Sequence, residues 1–374
     1  MYLKKTFSAE RENLPLMNEW VRESISACRS AAHVDNVNAQ IAVGEVLQNC
    51  IRYAFEENKA SGNLTIIVAD LTLGIAITIF DDAPVSDPAL WVSDKDREEG
   101  GHGLKIIANA ASGASFSSGD GNKAFLCFLD DRLNFNTSEA IFLATLINAN
   151  VVSVSLTDFL QSTKSQFLPD QFQLLLSCAS QIEAYEKEQK RFPTYHNSSH
   201  YRDVLVSCQY LIGLGKVQVN WEMSFLLAAL LHDYKHPGIK AETDLEGYSS
   251  IESQTMAFIC NDFPELSDNK TLMRQIECLI LGTEEKQIER LQKEGFSNSI
   301  ESEMQHLFNA CDVASSMVPF MGFDNANKLV LEGDLVQTAT ELYESFKETL
   351  VDRFRGTPFF DMHQKLLDLY NILS

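Results

Sequence analysis

The spacing of apolar residues divides the chain into two textures. Over residues 36–57, Ile41, Val43, Val46, Leu47, Cys50, Ile51 and Ala54 recur at helical spacing and predict a helix. Residues 63–69 and 74–80 are short β-branched runs parted by a turn-length gap, which predicts an antiparallel hairpin. Residues 123–129 form a further strand-like run. A loop rich in Asp, Pro and Gly (81–103) and a short helix from about Leu104 lie in between. From about residue 155 the pattern is helical almost throughout. Apolar residues at three- and four-residue spacing fill 167–186, 201–213, 222–232, 250–262, 271–281, 300–319 and 334–353, and strand signals are nearly absent. The expected organisation is a mixed α/β domain over 1–132, a junction over 133–156 and an all-helical domain over 157–374. Within the junction, residues 141–154 are apolar and suited to packing on either domain. No internal repeat or low-complexity tract interrupts the pattern.

At 374 residues the chain has room for two domains, each with a sizeable core. It is 45% hydrophobic, yet no stretch approaches the roughly 18 consecutive apolar residues of a membrane span. Met1–Thr6 lacks the apolar core of a signal peptide, since Ser8-Ala9-Glu10-Arg11-Glu12 follows, so a cytoplasmic address is expected. The formal charge of -22 argues against a nucleic-acid polymer as partner, because phosphate backbones need a basic surface. Small anionic nucleotides stay open if cations sit in their site. Eight cysteines stand singly among apolar neighbours with no C-x-x-C pair, which predicts buried reduced thiols.

Four of the eight histidines fall in two short segments, Tyr195-His196-Asn197-Ser198-Ser199-His200 and Leu230-Leu231-His232-Asp233-Tyr234-Lys235-His236-Pro237-Gly238. His196 and His200 are four apart, so a helix would stack them on one face. His232 and Asp233 end the apolar helix over 225–231, and Pro237-Gly238 stops it. Imidazole and carboxylate together suit borderline divalent metals. Asp312 lies on another apolar helical run, between Phe308 and Val313, where a carboxylate is costly unless paired or metal-bound. His33, His102, His306 and His363 have no such context and read as ordinary surface or core residues.

The order H-N-x-x-H, then H-D-x-x-H-P-G, then a distant Asp resembles the class I 3′,5′-cyclic-nucleotide phosphodiesterases of the HD phosphohydrolase superfamily. The resemblance covers about residues 157–353 and implies an all-helical catalytic domain that hydrolyses cAMP or cGMP to the 5′-monophosphate. It places two divalent ions (zinc, manganese, magnesium or iron), with His200, His232, Asp233 and Asp312 as ligands of the tighter one and Asp233 as the bridge. His196 matches the proton donor to the leaving 3′ oxygen, and Glu252 the carboxylate that orients it. His236 matches a histidine near the second ion, Tyr195 and Asn197 the flanks of the signature, and Thr283 a threonine near the metals. The base-clamping glutamine of eukaryotic members has no match, and Gln364 lies in that region without supporting neighbours. An HD-type phosphohydrolase acting on another nucleotide is the alternative.

Glu45 and Asn49 stand one turn apart on the first predicted helix; Asp81 follows a strand, and Gly101-His102-Gly103 precedes a helix. This series resembles the GHKL ATPases, specifically the small anti-sigma serine kinases. It implies an α/β sandwich binding ATP with magnesium: Asn49 on the metal, Glu45 as base, Asp81 on the adenine, Gly101 and Gly103 over the phosphates. The glycine usual in D-x-G is replaced in Asp81-Asp82-Ala83. The expected role is regulatory, through nucleotide or a captured protein partner, with an anti-sigma-like kinase or partner switch as the alternative. Oligomeric state is left open.

Overall fold

The computed structural model describes residues 1–56, 60–71, 73–83, 103–119, 121–151, 154–189, 193–238, 248–284, 286–289 and 299–373. They divide into two compact units, Met1–Val154 with Gln161–Thr163 and Ser155–Leu160 with Lys164–Ser374. Among the described residues no helix is long and apolar enough to cross a membrane.

The first unit is built on an antiparallel sheet of β1 (Tyr2–Ser8), β2 (Asn63–Leu71), β3 (Gly74–Asp81), β4 (Gly113–Gly119) and β5 (Gly121–Leu129), in the order β1-β2-β3-β5-β4. The expected hairpin is β2–β3. Its register sets Ile66 against Ile79 and Val68 against Ile77, and Ile77 in turn faces Leu126 of β5. One face of the sheet is therefore a continuous apolar surface. Helices α1 (Leu14–Ser26) and α2 (Asn36–Asn49) cover it with Met17, Val21, Ile25, Val43 and Leu47. A π-helical stretch, Cys50–Glu56, prolongs α2. Helix α3 (Gly103–Ala110) packs along α2.

Helix α4 (Thr137–Val151) packs on β4 and β5, which places residues 141–151 of the apolar junction segment on the first unit. A Cβ on Gly113 would sit 2.2 Å from the Cβ of Ala144, so only glycine allows this approach. Strands β1 and β4 carry little periodic signal. The first is a largely exposed edge strand, and Gly113-Ala-Ser-Phe-Ser-Ser-Gly119 has the composition of a turn.

The second unit is helical: α5 (Leu156–Ser162), α6 (Pro169–Glu188), α7 (Ser198–Gly213), α8 (Glu222–Leu231), α9 (Ile251–Asp262), α10 (Pro264–Ser267), α11 (Lys270–Leu281), α12 (Ile300–Val313), α13 (Pro319–Gly333), α14 (Ala339–Phe354) and α15 (Pro358–Leu373). Residues Ser224 to Leu231 are buried without exception, so α8 is the central helix, flanked by α6, α7 and α11. The helix expected over 300–319 ends at Val313. A 3-10 turn, Ala314–Met317, follows, and Pro319 begins α13, where its fixed φ and missing N–H suit the first turn. Helix α13 was not among the expected elements. It seats closely: a Cβ on Gly322 would meet the Tyr343 ring at 2.4 Å and the Ser316 carbonyl at 2.5 Å.

All eight cysteines are free. Six are buried as expected, but Cys260 is exposed and Cys278 half-buried, because α9 and α11 turn those positions outward.

Candidate metal centre

Three helices of the second unit carry the centre. Asn197 starts α7: its Oδ1 accepts from Ser199 N at 2.9 Å, and its Nδ2 donates to the Thr194 carbonyl at 2.7 Å. Glu186 of α6 accepts from Ser198 N at 2.6 Å. This fixes His200 in the first turn of α7. His196 precedes the helix rather than stacking one turn below His200, a correction to the expected shared face. His232 is the residue after α8, with Asp233 next to it, and Asp312 lies in the last turn of α12.

The four side chains converge. His200 Nε2 is 3.1 Å from His232 Nε2, 3.1 Å from Asp312 Oδ1 and 3.5 Å from Asp233 Oδ2. His232 Nε2 is 3.0 Å from Asp233 Oδ2 and 3.4 Å from Asp312 Oδ1. A tetrahedral ion with bonds of about 2.0–2.1 Å spaces its ligand atoms about 3.3 Å apart, and an octahedral one about 3.0 Å. The donor set fits a divalent ion. His232 Nδ1 lies 3.2 Å from the Ala229 carbonyl, which takes its proton and turns the Nε2 lone pair inward. The imidazoles are buried, whereas Asp233 and Asp312 keep 17% and 20% of their side-chain surface exposed and open the pocket to solvent.

The electrostatics call for a cation. Burial disfavours the imidazolium forms, yet the carboxylates of Asp233 and Asp312 outweigh it and hold His200 and His232 above the ordinary histidine range. Burial likewise disfavours ionised Asp233 and Asp312, and the two histidines overcome it, holding both well below the carboxylate range. Two nitrogens 3.1 Å apart need positive charge between them. A proton or a metal ion supplies it.

Beside this set lies a second histidine–carboxylate group. His196 Nδ1 is 2.5 Å from Glu332 Oε1. Glu332 Oε2 accepts the backbone N–H groups of Tyr195 at 2.8 Å and His196 at 3.3 Å. Burial disfavours ionised Glu332, but His196 and these donors prevail and bring its pKa down to about 2. The carboxylate on His196 is thus Glu332 of α13, not the expected Glu252. Glu252 lies in the first turn of α9; burial raises its pKa, with the charges of Glu284 and Asp233 adding to it.

The ring of His236 stacks on His196 with centroids 3.8 Å apart. Its Nδ1 accepts the Gly238 N–H at 3.0 Å, so its hydrogen is on Nε2. Burial, then the nearby His196, pushes its pKa down to about 4. His196, His236 and Glu332 have the residue types of a metal trio. As bonded here, however, a lone pair of His236 is spent on Gly238 and Nδ1 of His196 on Glu332. Tyr195 packs its ring 4.6 Å from His200. Thr283 donates its hydroxyl to the Ile280 carbonyl at 2.7 Å and so closes α11.

In the first unit, Glu45 and Asn49 lie half-buried on α2. Glu45 lines a groove between α1 and α2 with Leu14, Asn18 and Ile41. Asp81 is buried at the end of β3 and accepts from Ala83 N at 3.2 Å. Gly103 opens α3, and Gly101 lies outside the described residues, as do residues 84–102 of the expected loop.

Residues 7–128 match the family described as the histidine kinase-like ATPase domain. The chain is also similar to 3′,5′-cyclic-AMP phosphodiesterase 4 of Dictyostelium discoideum, 33% identical over an alignment of 113 residues that covers 24% of this chain. That stretch spans 11% of the relative's length. The N-terminal part of the chain is accordingly an antiparallel sheet packed with helices that matches the histidine kinase-like ATPase domain family, followed by a helical region that carries the candidate metal centre.

Proposed function

We propose that the C-terminal unit hydrolyses a 3′,5′-cyclic nucleotide, cAMP or cGMP, to the 5′-monophosphate in a metal-dependent reaction. The observation that carries this reading is the convergence of His200, His232, Asp233 and Asp312, each histidine Nε2 lying 3.0–3.5 Å from the other and from both carboxylates, beside a histidine held by its own carboxylate. The relative's name points to the same reaction class. Divalent ions held by these four residues would polarise the phosphate and bring water within reach of deprotonation at neutral pH. His196, its Nδ1 engaged by Glu332, turns Nε2 to the leaving 3′ oxygen and protonates it. Neutral His236 beneath that ring excludes water from one face of the donor. Asp233 would be a ligand shared by the ions, and its charge reaches Glu252.

The test is hydrolysis of cAMP, cGMP and a non-cyclic nucleotide phosphoester by the purified chain with manganese, magnesium or zinc. Chelator-sensitive cleavage of a cyclic nucleotide is expected. Cleavage of the non-cyclic ester alone would move the assignment to another phosphohydrolase, and no cleavage with any metal would reject it.

The match over residues 7–128 supports a second, regulatory reading of the N-terminal unit as a site for ATP with magnesium or for a protein partner. Asn49, Glu45, Asp81, Gly101 and Gly103 would form the nucleotide site. Nucleotide occupancy would bias hydrolysis by the other unit. Rates unchanged by saturating ATP, with ATP binding confirmed, would reject that coupling.

A further inference from the structure

Tyr201 follows His200 on α7 and is fully buried. Its ring stands edge-on to His232 with centroids 5.6 Å apart. Its hydroxyl donates to the backbone carbonyl of Asp233 at 2.5 Å and lies 3.4 Å from the carbonyl of His196. The Asp233 carbonyl also receives the backbone N–H of His236 at 2.9 Å. One oxygen atom therefore meets the main chain of a metal-ligand turn and of the proton-donor turn. A buried tyrosine needs some partner for its hydroxyl, but a single acceptor within its own helix would serve that need. Here the partners come from outside α7.

We propose that Tyr201 is a positioning residue of the metal centre, an inference that rests on the hydrolase reading above. Its hydroxyl fixes the Asp233 main chain just past the end of α8, where the helix no longer constrains it. The Asp233 carboxylate then stays within reach of both histidines without reorganising when an ion binds. Hydrogen bonds that orient metal ligands characteristically contribute ~10–100-fold in metal affinity.

The experiment uses the full chain and zinc alone as probe, with affinity measured by competition against a chromophoric chelator. Tyr201→Phe, which keeps the ring and removes the donor, is expected to bind zinc ~10–100-fold more weakly than wild type. Ser224→Ala serves as the stability control. It deletes a buried hydroxyl bonded to Gln275 at 2.7 Å on the same central helix, without touching the Asp233 turn. It should lower the melting temperature and leave the zinc constant unchanged. Should Tyr201→Phe not fold, 3-fluorotyrosine at position 201 keeps the hydroxyl and is expected to retain wild-type affinity, whereas 4-fluorophenylalanine there is expected to weaken it. A zinc constant equal in wild type and Tyr201→Phe would overturn the positioning role and leave the metal centre standing. A wild-type chain that binds no zinc or manganese would overturn the metal centre itself, and the positioning role with it.

Discussion

In the C-terminal unit, His200, His232, Asp233 and Asp312 arrive from three helices, and each histidine Nε2 lies within 3.5 Å of the other and of both carboxylates. In the N-terminal unit, Glu45 and Asn49 share one helix, and Asp81 is bonded to the backbone two residues on. The difference is energetic. Collecting two carboxylates and two imidazoles in a largely buried space is costly unless a cation neutralises them. A proton or a bound metal ion would remove that cost. A polar pair on one face of a helix has no comparable cost, so its presence alone says little about chemistry. The match over 7–128 supplies what geometry does not for that unit.

Asp312→Ala offers the sharpest way to break the contrast. No neighbouring group replaces the lost ligand, so bound metal and turnover should both fall below detection, a loss of ~10³-fold or more. Metal retained at wild-type stoichiometry would place the ion elsewhere. His196→Ala should keep its metal and slow hydrolysis by ~100-fold, the range of a proton donor. Glu332→Gln should follow it in the same direction with a smaller loss, again with metal retained. Equal metal loss in all three variants would merge the two histidine groups into one site.

On the other side of the comparison, Asn49→Ala should weaken binding of ATP with magnesium by ~10-fold or more, the effect of one lost charged contact. Calorimetric titration of the full chain decides it; an unchanged constant would remove Asn49 from any nucleotide site.

The smallest effect is expected away from both sites. His363 is 1% exposed, both ring nitrogens lack hydrogen-bond partners among the described residues, and burial with the charge of Lys347 pushes its pKa down to about 4. The folded form resists a proton that the unfolded form accepts near pH 6.5. Stability should therefore be fully present above that value and fall as pH drops toward 4. His363→Phe should flatten this decline and raise stability at pH 4 by about 2 kcal/mol, as read by denaturant titration. His236, shifted the same way, leaves a residual slope.

The four converging side chains were legible in sequence because His200, His232 and Asp233 lie in compact signatures, the last two adjacent, and Asp312 is a carboxylate in an apolar helix. Helix periods alone located α7, α8 and α12, the elements that bear them. Glu332 was not legible. It sits 136 residues from His196 on α13, and that helix was hidden by a helical period read straight through to residue 319. Pro319 with the Gly333 end was the local signal that a new helix starts and stops there. Tyr201 escaped for a different reason: a tyrosine beside a motif looks like core, and only the position of Asp233 shows what its hydroxyl touches. In the sheet, β1 and β4 went unread because an edge strand and a Ser/Gly-rich strand need no apolar alternation.

Anomalous diffraction from crystals grown with manganese tests the central claim most directly. The account predicts one strong peak about 2.0–2.3 Å from His200 Nε2, His232 Nε2 and the carboxylates of Asp233 and Asp312. Crystals that diffract well, with manganese present and no peak between these four side chains, would contradict it.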